Sequence, residues 1–312
     1  MAAREWPEDG LESVAGCPIC GTGLRTPLYR DLEDRVFFSA PGRWDLHRCN
    51  GCDAVLLDPR PTEAAIALAY RSYYTHEPPR STEGFRALLD RLLPGGSPAA
   101  DGVVGDLALE HGSRCLDVGC GDGSLLRRLR TAGLDVQGID PDPVAVASAR
   151  RSGLPVVEGT LEGATFEAGS FDAVTLNHAV EHLHDPAATL RICRDLLRPR
   201  GRLWIATPNL GSWGHRRFGR NWLHLDPPRH LVLFTRGALS SLVRTAGFGE
   251  PRFRLSRTAT LVYPASTAIE LGQKPMEFVP SRRVVLRARL VDLAVSLRPQ
   301  KGEELVLVAE RR

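Results

Sequence analysis

Three groups of residues in this chain have the types and spacing to do chemistry. Four of its seven cysteines form two pairs, Cys17-Pro18-Ile19-Cys20 and Cys49-Asn50-Gly51-Cys52. Each pair puts two thiolates on one tight turn, and two such turns close a tetrahedral sulfur site around zinc with no position left for water. That zinc is expected to be structural. A redox Cys-x-x-Cys motif needs only one pair, and a disulfide framework needs an oxidising compartment. The second group is a run of glycines between carboxylates, Asp117-Val118-Gly119-Cys120-Gly121-Asp122-Gly123, followed by another acid at Asp140. The third is histidine: of nine, His178, His182 and His184 fall in one stretch, and His224 and His230 in another. An imidazole takes a proton near neutrality, so each is a candidate general base, with a satisfied structural role as the alternative.

These groups need elements to hold them. Arg114 to Val118 is short, apolar and ended by glycines, whereas Ser124 to Ala132 spaces Leu125, Leu126 and Leu129 as a helix does. The segment reads strand, tight turn, helix. A second strand, Val136 to Ile139, delivers Asp140 to its carboxyl end. In a right-handed βαβ unit that end faces the same crevice as the glycine turn, where a carboxylate accepts hydrogen bonds from both hydroxyls of a ribose. A dinucleotide site would want glycine where Ser124 stands, and the flanking carboxylates Asp117 and Asp122 would repel a pyrophosphate. No Lys-Ser or Lys-Thr pair closes the turn as in a phosphate loop. A nucleoside ligand with an ammonium and a sulfonium in place of phosphates suits these charges.

From about Arg114 to Arg257 the chain resembles the class I S-adenosylmethionine-dependent methyltransferases. The resemblance implies a doubly wound α/β fold with a seven-stranded, mostly parallel sheet. It implies cofactor contacts at Asp117, Gly119, Cys120, Gly121 and Gly123, at Asp140 and Pro141, at Thr160 and Leu161 after the third strand, and at Asn177 and His178 after the fourth. Phe171-Asp172-Ala173-Val174 resembles the fourth strand, and the turn Leu196 to Gly201 leads into a fifth, Arg202 to Thr207. The loop Asn177 to His182 then faces the transferred methyl group. The N-terminal block, with the four cysteines and Tyr70, Tyr73 and Tyr74, resembles the zinc-ribbon extension of a subgroup that modifies deoxysugars and other natural-product or surface-polysaccharide precursors. There the tyrosine segment lies over the substrate, which makes Tyr73 and Tyr74 candidates for lid or substrate contacts, or for packing alone. Related sugar C-methyltransferases carry Tyr-x-Glu-His where this chain reads Pro227-Pro228-Arg229-His230. The histidine is kept and the tyrosine and glutamate are not, a departure from sugar C-methylation that leaves His230 the first candidate for base or substrate anchor. His178, His182 and Tyr74 are the other catalytic candidates.

The expected organisation is a zinc ribbon over 1–60, a helical tyrosine linker over 61–100, and a cofactor-binding domain over 101–312 with substrate-binding insertions at about 208–234 and 257–300. Within the first insertion Trp213, Arg216, Arg217, Phe218, Arg220 and Trp222 suit either a clamp on an anionic substrate or a solvated loop with its aromatics tucked in. Thr235 reads as the N-cap of a helix that Gly247 stops, Pro251 to Leu255 as a sixth strand, Ser281 to Leu297 as a capping helix with arginines outward, and Glu303 to Ala309 as the last strand. Cys115, Cys120 and Cys193 are expected to pack. With 40 basic and 37 acidic side chains the net charge is +3, which gives no support to nucleic acid or an anionic membrane as partner. No stretch of eighteen apolar residues appears, so a soluble, cytoplasmic protein is expected; the sequence carries no signal for oligomeric state. The leading expectation is a methyltransferase of small-molecule biosynthetic intermediates that uses a histidine base. The alternatives are a cofactor-binding relative that catalyses a cyclisation and, less favoured by the balanced charge, an RNA methyltransferase.

Overall fold

The structure, a computed structural model, describes residues 6–70 and 100–312; Tyr73, Tyr74 and most of the expected 61–100 linker lie outside the described residues. The N-terminal part contains β1 (Leu11–Glu12), β2 (Arg25–Leu32), β3 (Trp44–Cys49), β4 (Val55–Leu57) and β5 (Arg60–Pro61). β2, β3 and β4 form an antiparallel meander, while β1 pairs with β5. The two cysteine turns have the same backbone. Cys17 N donates to Thr22 O and Cys49 N to Ala54 O, five residues on in each case, and Gly21 N and Asp53 N return to the cysteine carbonyls. Gly21 and Asp53 both adopt positive φ, at 76° and 62°, which is the bend that returns the chain after each pair so that Thr22 O and Ala54 O meet the first cysteine's N–H.

The remainder runs α1 (Ala100–Leu107), β6 (Arg114–Val118), α2 (Ser124–Thr131), β7 (Asp135–Asp140), α3 (Pro143–Arg151), β8 (Val156–Glu158), β9 (Phe171–Asn177), α4 (Pro186–Leu196), β10 (Leu197–Pro208), α5 (Trp213–Phe218), β11 (Val232–Leu233), α6 (Arg236–Thr245), β12 (Arg252–Arg254), α7 (Ala259–Glu270), α8 (Arg282–Val295) and β13 (Glu304–Glu310). Seven strands make one sheet in the order β12-β13-β10-β9-β6-β7-β8, with only β13 antiparallel to its neighbours. This is the doubly wound sheet expected from the sequence. Central strands are apolar without alternation because helices cover both faces. On β10, Trp204 and Ala206 pack with Leu107 of α1 and Leu126 of α2, while Leu203 and Ile205 pack with Leu190 of α4 and Leu239 of α6.

Side-chain caps set several helix starts. Asp142, Asp185 and Thr235 accept hydrogen bonds from Val144, Ala188 and Ala238 N, each worth about 1 kcal/mol. Gly247, at φ 95°, ends α6 as its sequence position suggests. β10 starts earlier than expected, at Leu197, with its pairing to β9 interrupted between Leu197 and Arg202. Two further features bear on the site. β11, from the segment after β10, adds an outer strand to the ribbon meander, pairing Val232 with Leu56 and Leu233 with Val55. α8 exposes Leu286, Leu290 and Leu293 among its arginines and fully buries only Ala288 and Val295. Among the described residues no helix is long and apolar enough to cross a membrane.

Candidate functional site

The glycine turn follows β6 at the carboxyl edge of the sheet. Gly119 has φ 72°, and a Cβ there would come within 2.7 Å of the Ala179 methyl, so the turn and the loop after β9 are in direct contact only because position 119 has no side chain. At Gly121 a Cβ would meet nothing within 4 Å, so the backbone there borders open space. Asp140 closes β7 across from it; its Oδ2 accepts from Gly121 N at 2.7 Å and its Oδ1 from Asp142 N at 2.9 Å. Gly159 N donates to Asp140 O, which brings the loop carrying exposed Thr160 and buried Leu161 to the same edge, and Pro141 is exposed beside it. The Cys120 side chain points inward against Gly138, and burial pushes its thiol pKa up, so this residue offers the crevice only its backbone.

Asp117 lies below the turn, almost fully buried, with the Thr175 hydroxyl at 2.7 Å as its side-chain partner. Burial drives its carboxyl up to about 7, only partly offset by that hydroxyl and reinforced by repulsion from Asp140. A buried carboxylate with a single neutral donor is a place that favours a cation. The open backbone, the ribose-height acid and this carboxylate fit S-adenosylmethionine, a nucleoside with an ammonium and no phosphate.

Beside the turn, five segments bring histidines together. His178, at the end of β9, is held between two carboxylates, Nδ1 to Glu181 Oε1 at 3.2 Å and Nε2 to Glu304 Oε1 at 3.1 Å. Burial disfavours its cation, but the two glutamates outweigh burial and raise its pKa well above the ordinary histidine value. Both nitrogens therefore donate, and His178 is a fixed positive charge. Glu181 is fully buried and also accepts from Thr207 Oγ1 at 2.9 Å; burial would raise it, yet His178 brings it down to about 2.

His182 and His230 are different. His182 places Nδ1 2.9 Å from Arg229 O, and His230 places Nδ1 2.8 Å from His224 O. A carbonyl only accepts, so both Nδ1 atoms carry a proton, and each ring in its neutral form keeps its lone pair on Nε2. The two rings meet edge to face with centroids 4.8 Å apart. Burial, then repulsion from His230, lowers His182 to about 4. Tyr70, from the N-terminal part, sets its hydroxyl oxygen 3.0 Å from His182 Nδ1. His184 is structural, with Nε2 2.8 Å from Pro61 O.

The residue that joins ribbon to histidines is Arg229, which is fully buried. Its guanidinium bonds both oxygens of Asp34 at 2.6 and 3.0 Å and both of Asp226 at 2.6 and 3.0 Å. It also reaches Ala69 O and stacks over Phe37 at 4.6 Å. Four of the six arginine and aromatic residues of the first insertion have partners within the protein. Arg217 pairs with Glu270, Arg220 donates to the Arg30 and Asp31 carbonyls, Trp222 donates to Glu303, and Phe218 packs on Tyr263. Sequence reasoning did not single out Glu181, Glu304, Tyr70 or Arg229 as site residues. Glu181 and Arg229 stand inside stretches already marked by histidines, whereas nothing local distinguishes Glu304 from any other strand residue.

At the ribbon, Cys17 Sγ lies 3.6 Å from Cys52 Sγ and Cys20 Sγ lies 3.5 Å from Cys49 Sγ, with all four within 4.8 Å of one another. Zinc–thiolate bonds of about 2.3 Å put tetrahedral sulfurs about 3.8 Å apart, so the four fit zinc with almost no movement. Cys49→Ser is expected to empty that site and unfold the ribbon: elemental analysis should fall from one zinc per chain to a small fraction. A Co2+-loaded variant with a sulfur charge-transfer band as intense as that of the native protein would show that Cys49 is not a ligand.

A family model described as a methyltransferase domain matches residues 80–249, more than half of the chain. The ubiquinone biosynthesis O-methyltransferase of Xanthomonas axonopodis pv. citri is 43% identical over 105 residues, 31% of this chain and 44% of that protein. The chain thus spans under half the length of this curated relative. Among solved structures, Haemonchus contortus phosphoethanolamine N-methyltransferase 2 in complex with S-adenosyl-L-methionine has a TM-score of 0.52 at 15% identity, covering 82% of this chain and 62% of that one. A chain from the complex between the Haloferax volcanii Trm112 methyltransferase activator and a methyltransferase has a TM-score of 0.50 at 20% identity, covering 73% and 94%. These structures share the fold, and the family match rests on the segment that carries the glycine turn, Asp140 and the histidine loop. The chain belongs to the class I S-adenosylmethionine-dependent methyltransferases.

Proposed function

We propose that the protein methylates a small-molecule biosynthetic intermediate, a sugar, natural-product or envelope precursor, and that His230 takes the proton from the acceptor. The observation that carries this reading is the pair of imidazoles His182 and His230, each held by an Nδ1–H to a backbone carbonyl and meeting edge to face, with His182 in the loop whose Ala179 touches the glycine turn. S-adenosylmethionine, when bound, supplies a methyl group on a sulfonium whose departure needs no acid. The protein's work is alignment and removal of one proton. Asp117 and Asp140 hold the cofactor's charged and ribose ends. His178, already a cation between Glu181 and Glu304, cannot serve as base and acts as a fixed charge. His230 becomes cationic as it accepts the proton, and Asp226, 3.9 Å from its Nε2, stabilises that charge.

The buried carboxylate makes cofactor affinity depend on pH. Free Asp117 ionises only near pH 7, and a bound cation favours its charged form. Affinity for S-adenosylmethionine is therefore expected to weaken as the pH falls through that value, approaching tenfold per unit. Asp117→Asn should flatten the profile. Calorimetry at about pH 6 and about pH 8 measures this, since those values bracket the transition; equal affinity at both in the native protein would remove Asp117 from the cofactor site. The proposed activity itself is tested by formation of S-adenosylhomocysteine with a panel of hydroxylated and sugar acceptors. A protein that binds the cofactor and methylates none of them would count against the small-molecule reading.

A further inference from the structure

We infer that Glu181, His182 and His230 form a second metal site, distinct from the ribbon, which takes a divalent transition ion of the zinc or cobalt type and thereby blocks methyl transfer. The blocking role rests on the reading of His230 as base; the metal site does not.

The three residues offer one ligand atom each, and these atoms all lie within 4.8 Å of one another. Two nitrogens and one oxygen at about 2.1 Å from an ion lie about 3.4 Å apart, so closure asks for side-chain movements on the order of 1 Å. The outer hydrogen bonds of metal-ligating histidines are already made. Each ring donates its Nδ1–H to a carbonyl, of Arg229 at 2.9 Å and of His224 at 2.8 Å, which orients the Nε2 lone pair and raises its basicity. The His230 side chain is 8% exposed, and neither Nε2 has a hydrogen-bond partner among the described residues. Glu181 is fully buried and is anchored by His178 on one oxygen and Thr207 on the other, with lone pairs left on both.

Two imidazole nitrogens and a carboxylate oxygen gathered within 4.8 Å of one another are held most favourably around a cation. In the proposed reaction that cation is a proton. Two imidazoles and a carboxylate also form the donor set of borderline divalent ions, whereas magnesium and calcium prefer oxygen alone. Three protein ligands leave a coordination position open, in contrast to the closed sulfur cage of the ribbon. An ion there occupies the Nε2 lone pair that the acceptor's proton needs.

The test is a titration of Zn2+ into the full-length protein with its ribbon zinc in place, followed by calorimetry and repeated with Co2+ for its visible absorption. One further equivalent is expected. Its affinity should fall at least tenfold in Glu181→Gln and in His182→Asn, and the Co2+ bands should show nitrogen and oxygen ligation without the intense sulfur charge-transfer band. S-adenosylmethionine binding by each variant serves as the check on folding, and His182→Asn keeps the donor to the Arg229 carbonyl. Absence of the further equivalent, or its retention in both folded variants, overturns the site. Turnover should fall as the site fills and return on chelation that spares the ribbon. A filled site with unchanged or raised turnover overturns the blocking role and the assignment of His230 as base, while leaving the site standing.

Discussion

His230→Asn is expected to lower kcat by ~10²–10⁴-fold, the usual contribution of a positioned general base, with cofactor affinity unchanged. Asparagine keeps an N–H where Nδ1 now donates to His224 O, so the local backbone is preserved while the Nε2 lone pair is removed. The effect is expected in kcat because the lone pair matters only when the proton moves. Single-turnover kinetics with a competent acceptor provides the measurement. Native turnover in His230→Asn would remove this residue from proton transfer and leave His182 as the imidazole with a free lone pair in the cluster.

The largest stability effect is expected at Arg229. Replacing it with methionine leaves Asp226 and Asp34 buried without their cation, and breaking a buried pair in this way costs about 3–5 kcal/mol. The two acids are not equivalent. Asp34 keeps hydrogen bonds from the backbone N–H groups of Val36, Phe37, Ser39 and Ala40, whereas both Asp226 oxygens are bonded by the arginine. Burial would raise the Asp34 pKa; Arg229 and those N–H groups instead hold it at about 2. The double variant Arg229→Met, Asp226→Asn should therefore recover part of the loss, because the worse of the two uncompensated charges is removed. Arg229→Lys should not recover it, since an ammonium cannot bond two carboxylates bidentately at once. Urea unfolding monitored by the tryptophans near the junction, Trp6, Trp44 and Trp222, gives these differences directly. A loss below about 1 kcal/mol would mean that the ribbon and the histidine segment are held together mainly by β11 and apolar packing.

The coupling has a functional consequence. Arg229 O fixes the Nδ1–H of His182, and Asp226, one turn before His230, is bonded by the Arg229 side chain. The ribbon's Asp34 thus reaches both imidazoles through one residue. Zinc held by the four thiols would support the fold of the segment that carries Asp34, so emptying that site should reduce turnover without any direct part in the chemistry.

Much of this was legible in the sequence because it is local. A short apolar run ended by glycines and followed by helical spacing can only be a strand, a turn and a helix, and an acid at the end of the next strand must face that turn. Two Cys-x-x-Cys turns carry their own geometry, and the paired backbone hydrogen bonds at Cys17 and Cys49 repeat it. Thr235 and Gly247 bound α6 for the same local reasons.

The histidines were visible as residues but not as roles. His178, His182 and His230 are alike in sequence, and what separates them is the atom opposite each nitrogen: two carboxylates for the first and backbone carbonyls for the other two. Those partners come from Glu181, Glu304, Arg229 and His224, spread over more than a hundred residues of chain. In the aromatic and basic insertion that suggested a clamp, Arg217, Trp222 and Phe218 find partners that the local sequence does not show, because Glu270, Glu303 and Tyr263 come from later elements. The sequence by itself determined the fold, the glycine turn with Asp140 opposite it and the thiolate turns, whose geometry is set by neighbours along the chain. Only the tertiary structure decided which imidazole is charged and which keeps a lone pair, because protonation follows the charges and carbonyls that folding brings within hydrogen-bond distance.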